Sequence, residues 1–185
     1  MRLLPVTAAL LGALILVAAG CVGPSVPIEP ATAAAPQKHE TRWVEASGEG
    51  GEKLVYEVRS FEVTAGGWTA EVAVENRTGV TWTFLPHPVW GRIGLRVFAS
   101  GDLEDLEKRV VEGDLPGLRA ARAISPPLPG ALGPRQRWSG RIKGTGPLPA
   151  GRWVRVEFPL LETPRAPSGL PARANWITDR ALRLT

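Results

Sequence analysis

The sequence has very few of the residues from which proteins build disulfides and metal centres. Its 185 residues include one cysteine, two histidines and one methionine. A single cysteine excludes an intramolecular disulfide and a cysteine-ligated metal cluster. Two histidines and one methionine leave too few ligands for a copper site of the imidazole and thioether type. We therefore expect neither a metal nor a cofactor.

The chain also lacks the short motifs of common enzyme classes. It has no G-x-S-x-G motif, and the glycine pair in 144–146 is followed by proline outside any βαβ unit. The acidic run 102–105 lacks the alternating ligands of a calcium loop, and its position early in a helix accounts for it. The enzyme hypothesis that remains needs a site assembled from scattered residues such as His87, Asp102 and Asp179.

The charge pattern argues against a nucleic-acid partner. The chain carries 22 basic and 18 acidic residues, a net charge of +4. Nucleic-acid binding requires basic residues clustered on one face, whereas these arginines are scattered and often stand beside a glutamate or an aspartate. The sequence therefore predicts a mixed, solvated surface.

The N-terminus has the pattern of an exported protein. Met1-Arg2 supplies the positive start, residues 3–19 are largely apolar, and small residues precede Cys21. This pattern predicts a signal peptide over residues 1–20.

The run 16–21, Leu-Val-Ala-Ala-Gly-Cys, resembles the lipobox of bacterial lipoproteins, although Ala18 stands where the family usually has leucine. The resemblance implies cleavage after Gly20 and acylation of Cys21, including by palmitate. Val22 is not the aspartate that resembles an inner-membrane retention signal, which indicates the outer membrane if the host has two membranes. The alternatives are secretion without lipid and an uncleaved anchor over 3–19.

A segment rich in proline and alanine, with no apolar period, follows the cysteine. We expect residues 21–40 to form a disordered tether and residues 41–185 to form the folded domain. Glycine and proline together make up 39 of the 185 residues, a content typical of turn-rich folds rather than long helices.

Alternating apolar residues predict strands over 54–59 and 68–75. Further strands are expected at 80–85, 93–98, 137–142, 152–158 and 176–184, with a short edge strand near 119–124. Leucine and valine at helical spacing predict one short helix near 102–111. The pattern is typical of an all-β protein, an antiparallel immunoglobulin-like β-sandwich with one short helix.

Apolar strand residues supply the predicted core, and most of the seven tryptophans belong there. The predicted core residues are Tyr56, Val58, Trp68, Val72, Val74, Trp82, Leu95, Val97, Trp138, Ile142, Val154, Val156 and Phe158. Trp90 follows Val89 in the segment bounded by Pro88 and Gly91, and His87 lies directly between two prolines. We predict that these two side chains contact a partner.

Three segments resemble immunoglobulin-like bacterial envelope modules, including the intracellular proteinase inhibitor family. They are the strand end and turn 74–78, the run 132–138, and the run 148–156 with its Leu-Pro-Ala-Gly-Arg-Trp-Val-Arg-Val pattern. The resemblance implies a sandwich fold. The functional loop of the inhibitor family has no counterpart here, so inhibition itself is not implied.

These features together predict a lipid-anchored protein of the cell envelope. A sandwich without an enzyme motif favours a non-catalytic binding or interaction module, whose partners are the membrane and an envelope or extracellular protein. The alternatives are an envelope hydrolase with a non-motif active site and a proteinase-inhibitor-like module.

Overall fold

Two antiparallel sheets face each other in this computed structural model, which describes residues 32–48, 50–85 and 92–185. The strands are β1 Gln37–His39, β2 Trp43–Ser47, β3 Leu54–Thr64, β4 Gly67–Asn76, β5 Trp82–Phe84, β6 Gly94–Phe98, β7 Arg119–Ala120, β8 Ala123–Ser125, β9 Ala131–Leu132, β10 Arg137–Thr145, β11 Trp153–Glu162, β12 Arg173–Ile177 and β13 Leu182–Arg183. The first sheet has the order β1-β3-β4-β10-β8, with β2 also pairing with β3. The second has the order β7-β6-β11-β5-β9, with β12 and β13 also pairing with β11. The predicted β-sandwich is confirmed.

The helix α1, Leu103–Glu112, forms where the apolar spacing predicts it. Asp102 precedes it in an extended conformation, and Glu104 and Asp105 lie in its first turn, where the helix dipole favours negative charge. Arg109 in the last turn donates to Asp105 at 3.1 Å, one helical turn earlier. Gly113 ends the helix with a left-handed φ of +71°, a conformation that glycine adopts without strain.

A bulge in β3 lets this strand bury residues on both sides of an interruption. The pairing of β3 with β4 shifts between Val58 and Ser60. One extra residue reverses the alternation, so Val58 and then Phe61 both point into the core, where each is about 2% exposed or less. The same interruption divides one edge of β3 between β2 and β1. The sequence pattern predicts only the part of β3 before the bulge.

The predicted core is confirmed except for Val97, which is half-buried at the margin of the apolar cluster. The strand beyond β6 in the second sheet is β7, which pairs only with Gly94 and Leu95. Val97 therefore has no neighbouring strand on that side in the described structure. Phe98, which the prediction omits, is buried instead.

Two tryptophans of the first sheet lie against glycines of β10, Trp68 against Gly144 on the neighbouring strand and Trp138 against Gly140 two residues later on its own strand. A Cβ atom added at Gly144 would lie 2.2 Å from Cε2 of Trp68, and one added at Gly140 would lie 2.7 Å from Cζ2 of Trp138. Real side chains do not approach so closely, so each indole occupies the space that a larger residue would need. The Nε1 group of Trp138 donates to the Pro127 carbonyl at 3.1 Å. These glycines in β10 allow the sandwich to bury its large aromatics.

The expected tether over residues 21–40 is wrong for its described part. Gln37–His39 pair with β3, Ala34 is buried, and the backbone nitrogens of Ala34 and Ala35 donate to Leu148 and Thr185. Backbone hydrogen bonds hold this segment, and they require no apolar period in the sequence. Residues 21–31 lie outside the described residues, as does the predicted signal peptide.

The expected single strand over 176–184 is also wrong, because β12 and β13 are separated by a tight loop. The Thr178 hydroxyl accepts from the backbone nitrogen of Val156 at 3.1 Å and donates to the Arg180 carbonyl at 2.9 Å. The carboxylate of Glu45 accepts from the backbone nitrogens of Asp179 and Arg180. Side chains from both sheets therefore fix a loop where the pattern predicts a strand.

Candidate functional site

Three residues singled out from the sequence, Cys21, His87 and Trp90, lie outside the described residues. The acylation of Cys21 and the partner contacts of His87 and Trp90 therefore stay predictions. The other two residues of the scattered-site hypothesis, Asp102 and Asp179, are described.

The structure brings Asp102 and Asp179 to the same buried side chain, Arg155. The Nη2 group of Arg155 donates to the carbonyl oxygens of Gly101 at 2.7 Å and Asp102 at 3.1 Å. Its Nη1 group donates to the Thr178 carbonyl at 2.8 Å and also to that of Asp179. The contacts are made by backbone carbonyls, so Arg155 joins two loops to the second sheet rather than pairing with catalytic carboxylates.

The two carboxyl groups have separate surroundings. That of Asp102 accepts from the Ser100 hydroxyl at 2.8 Å, beside a shallow cavity lined by residues of α1 and not by Asp179. The pKa of Asp179 is raised, first by partial burial and then by the negative charge of Glu45. The described contacts of Asp102 and Asp179 therefore position loops around Arg155.

A polar groove of about 560 Å³ lies on the outer face of the first sheet, the face turned away from the core. Strand alternation turns Glu71 of β4 and Arg141 and Lys143 of β10 outward, and the antiparallel register places Arg141 opposite Glu71. Ser125 of β8 and Ser139 of β10 also line it. We call this feature the outer groove.

A second concavity of about 280 Å³ extends the outer groove toward β1. It shares Glu71, Arg141 and Lys143 with the first and adds Lys38 and Glu62, together with hydroxyl groups of serine and threonine. The combined surface crosses the sheet from β1 to β8. It presents both charge signs, with basic side chains in excess.

Ion pairs along this face hold its side chains in place. Arg141 donates to Glu71 at 2.7 Å, and this hydrogen bond lowers the pKa of the Glu71 carboxyl. Next to it, Arg137 donates to Glu57 at 2.7 Å and lowers the pKa of that carboxyl in the same way. Lys143 differs from these arginines, because none of the described carboxylates lies within 4.0 Å of it. Its ammonium group is therefore available to a ligand in the outer groove.

Sequence reasoning misses the outer groove because its residues come from strands far apart in the chain. The alternation in β4 identifies Glu71 as outward-facing. Only the register with β10, 70 residues later, places Arg141 beside it. The sequence signal is therefore limited to the outward charges of each strand taken alone.

Neither known proteins nor common site signatures assign a role to this surface. No family model matches the chain, and no curated protein or solved structure matches it significantly. Within the described ranges, no group of three or more histidine, cysteine, aspartate or glutamate side chains could hold a metal ion. No helix among these residues is long and apolar enough to cross a membrane.

Proposed function

We propose that this chain is a lipid-anchored protein of the cell envelope whose sandwich is a non-catalytic binding module. The observation that carries the binding part of the proposal is the outer groove. Its main cavity is lined by Arg59, Arg141 and Lys143 against one carboxylate, Glu71. Such a surface complements an extended polar segment that carries acidic groups, and we propose that it binds an acidic segment of another envelope protein.

The anchor is supported by the sequence. An apolar stretch and three small residues lead directly to the single cysteine of the chain. Each buried CH₂ group of an acyl chain contributes about 0.8 kcal/mol to membrane binding, so several acyl chains on Cys21 hold a protein durably on a bilayer. With Val22 at the following position, the proposed location in a host with two membranes is the outer membrane.

The ion pairs of the outer face support binding without a conformational change. Glu57 and Glu71 are each held by an arginine from β10, so their side chains have little freedom left to lose when a ligand arrives. A partner's carboxylates would then pair with Lys143 and compete for Arg141. Because both charges are exposed to solvent, this binding is expected to weaken at high salt.

The anchor is tested by labelling cells with a tagged fatty acid. Wild-type protein should incorporate the label and sediment with membranes. The variant Cys21→Ala should lose the label, and it should either appear free of membranes or persist as an unprocessed precursor held by residues 3–19. Absence of label from the wild-type protein contradicts the proposed anchor.

The outer groove is tested by site-specific crosslinking in cells. A photo-reactive residue at Ser139 should give a discrete crosslinked product that disappears when Lys143→Glu reverses the charge of the groove. The matched control is a photo-reactive residue at Ser168, which is exposed outside the groove. Equal products from both positions, or a product from Ser139 that survives Lys143→Glu, would refute binding through the groove.

A further inference from the structure

One edge of the sandwich is closed by a strap, residues 119–125, that passes from one sheet to the other. Its first part, β7, pairs with β6 of the second sheet, and its last part, β8, pairs with β10 of the first. Between them, the backbone nitrogen of Ala121 donates to the Ile93 carbonyl at 2.9 Å and that of Arg122 donates to the Lys143 carbonyl at 2.7 Å. The backbone of the strap is therefore fixed to both sheets.

The strap lies close to β6 because that strand has a glycine beneath it. A Cβ atom at Gly94 would lie 2.4 Å from the Arg119 carbonyl oxygen and 2.8 Å from the Ala120 Cα atom. Any other residue at this position would push the strap outward. This close packing sets where the side chains of Arg119 and Arg122 leave the backbone.

Three arginines meet at this edge in a cleft of about 250 Å³. Arg92, Arg119 and Arg122 line it together with Thr145 and the buried Trp68, and none of the described residues that line it is acidic. We call it the arginine cleft. Among the described residues, no carboxylate lies within 4.0 Å of any of these three guanidinium groups, whereas Arg137 and Arg141 on the nearby sheet face each hold a glutamate.

One of the three side chains is already oriented. The Nη1 group of Arg119 donates to the Pro147 carbonyl at 2.9 Å, which fixes one end of this guanidinium and leaves its other donors available. Three positive charges gathered without a counter-charge repel one another. An anionic ligand would offset this cost.

We propose that the arginine cleft binds a phosphoryl group, presented by a phosphate ester. The planar guanidinium donates two parallel hydrogen bonds to phosphate oxygens, and the Thr145 hydroxyl adds a donor at the edge of the same cleft. A cleft of this size accommodates a phosphate and part of the alcohol it esterifies. The proposal rests neither on the anchor at Cys21 nor on the outer groove.

The test follows the arginine side-chain signals of the full chain by NMR during titration with glycerol phosphate. The protein carries Cys21→Ala, which removes the acylation site, so the result does not depend on the proposed anchor. Signals of Arg92, Arg119 and Arg122 should shift together, while those of Arg137 should stay in place. No shift in the cleft, or equal shifts on both surfaces, would overturn the proposal.

Substitutions then distinguish binding in the arginine cleft from non-specific attraction to the positive charge of the protein. The double variant Arg92→Gln with Arg122→Gln should weaken binding by at least about tenfold, because each arginine contributes charge-assisted hydrogen bonds. The variant Arg183→Gln removes a charge from an exposed strand outside the cleft and should leave binding within about twofold of the parent. Equal weakening in both would mean non-specific attraction and would overturn the proposal.

A vesicle-binding experiment distinguishes a lipid headgroup from a soluble ester as the source of the phosphoryl group. The same protein is mixed with vesicles of phosphatidylglycerol and, separately, of phosphatidylcholine. Retention on the anionic vesicles that requires Arg92 and Arg122 assigns the cleft to a headgroup. Because residues 3–19 could hold the chain on either kind of vesicle, the readout is the excess of retention on phosphatidylglycerol over phosphatidylcholine. Saturable binding of glycerol phosphate without this excess assigns the cleft to a soluble ester. An excess that is unchanged in the double variant contradicts a phosphoryl site in the cleft.

Discussion

The two outer faces of the sandwich use arginine in opposite ways. On the first sheet, Arg137 and Arg141 lie in solvent and pair with glutamates across the strands. On the second sheet, Arg155 is 1% exposed, and its hydrogen-bond partners in the described part of the chain are all backbone carbonyls, from the loop before α1 and from the loop between β12 and β13. Its guanidinium also lies 5.7 Å from the centre of the Phe98 ring.

The difference shows that burial and the partner, more than the residue type, set what a charge contributes to stability. Pairs in solvent contribute roughly 0–1 kcal/mol, because water and salt screen them. A buried guanidinium has lost its hydrogen bonds to water, and protein acceptors must replace them. Burial lowers the pKa of Arg155, and its Nε has no hydrogen-bond partner among the described atoms. The outer face of the first sheet, which we call the open face, is therefore suited to binding. The outer face of the second sheet, which we call the covered face, is suited to holding loops in place.

Removal of Arg155 is the change with the largest expected effect. Arg155→Ala leaves the carbonyls of Gly101, Asp102, Thr178 and Asp179 without their donor and should lower the free energy of unfolding by about 3 kcal/mol. Urea unfolding monitored by tryptophan fluorescence measures it. The control Arg141→Ala on the open face should cost at most about 1 kcal/mol. Similar losses of unfolding free energy in Arg155→Ala and Arg141→Ala would contradict the difference between the two faces.

A smaller effect is expected at the ion pair between Arg96 and Glu157, also on the covered face. The two side chains are 13% and 8% exposed, and Arg96 donates in addition to the Pro116 carbonyl. Glu157→Gln leaves Arg96 with a neutral partner and should lower the free energy of unfolding by about 2 kcal/mol. The matched control is Glu71→Gln on the open face, and an equal loss there would contradict the prediction.

Tyr56 offers a third setting, a polar atom inside the core with no partner. Its ring stacks on Trp176 at 5.4 Å between centroids, and its hydroxyl has no hydrogen-bond partner among the described residues. Tyr56→Phe should therefore raise the free energy of unfolding by about 1 kcal/mol, which the same urea titration measures. A loss of stability instead would mean that the hydroxyl is satisfied.

The pH dependence of this residue has a definite sign. Burial raises the pKa of the Tyr56 hydroxyl above its usual value of 10.0. The unfolded chain then releases this proton at lower pH than the folded chain, so stability is full below pH 10 and falls as the pH rises above it. In Tyr56→Phe, the part of the stability loss above pH 10 that comes from this hydroxyl should disappear. An unchanged alkaline loss in the variant would contradict the assignment.

The smallest effect is expected on the open face in acid. The hydrogen bond from Arg137 lowers the pKa of Glu57 below its ordinary 4.5. The contribution of this pair to stability is therefore full above pH 4.5 and is lost as the pH falls through the lowered value. Arg137→Gln should reduce the acid loss by no more than about 1 kcal/mol, measured by urea unfolding at pH 7 and pH 3. Arg183→Gln is the control, and an equal reduction there would contradict the prediction.

Local patterns predict the sandwich because they depend on neighbouring residues. Alternation identifies β4, and helical spacing with early acids identifies α1. The immunoglobulin-like assignment within the sandwich class stays a prediction. Segments held by distant backbone partners escape this reasoning, as β1 does, since Gln37–His39 have no apolar pattern and pair with β3.

The candidate sites depend on contacts that no local pattern contains. The outer groove needs the register between β4 and β10, and the arginine cleft joins Arg92 to a strap about 30 residues later. Scattered arginines in the sequence predict a mixed surface, and this holds for the open face. The fold separates the arginines that pair with glutamate on the open face from Arg92, Arg119 and Arg122, which share a cleft that no described carboxylate lines.

The segment before β1 has a consequence for how the domain responds to mechanical force. A pull on the chain at Thr32 reaches first the short backbone contacts with Leu148, Ala150 and Thr185, and only then the three-residue pairing of β1 with β3. These few bonds are loaded before the ten-residue pairing of β3 with β4. We expect this segment to detach at low force, which adds several residues to the extended part of the chain while the sandwich stays folded. Its detachment would then limit the force that reaches the sheets.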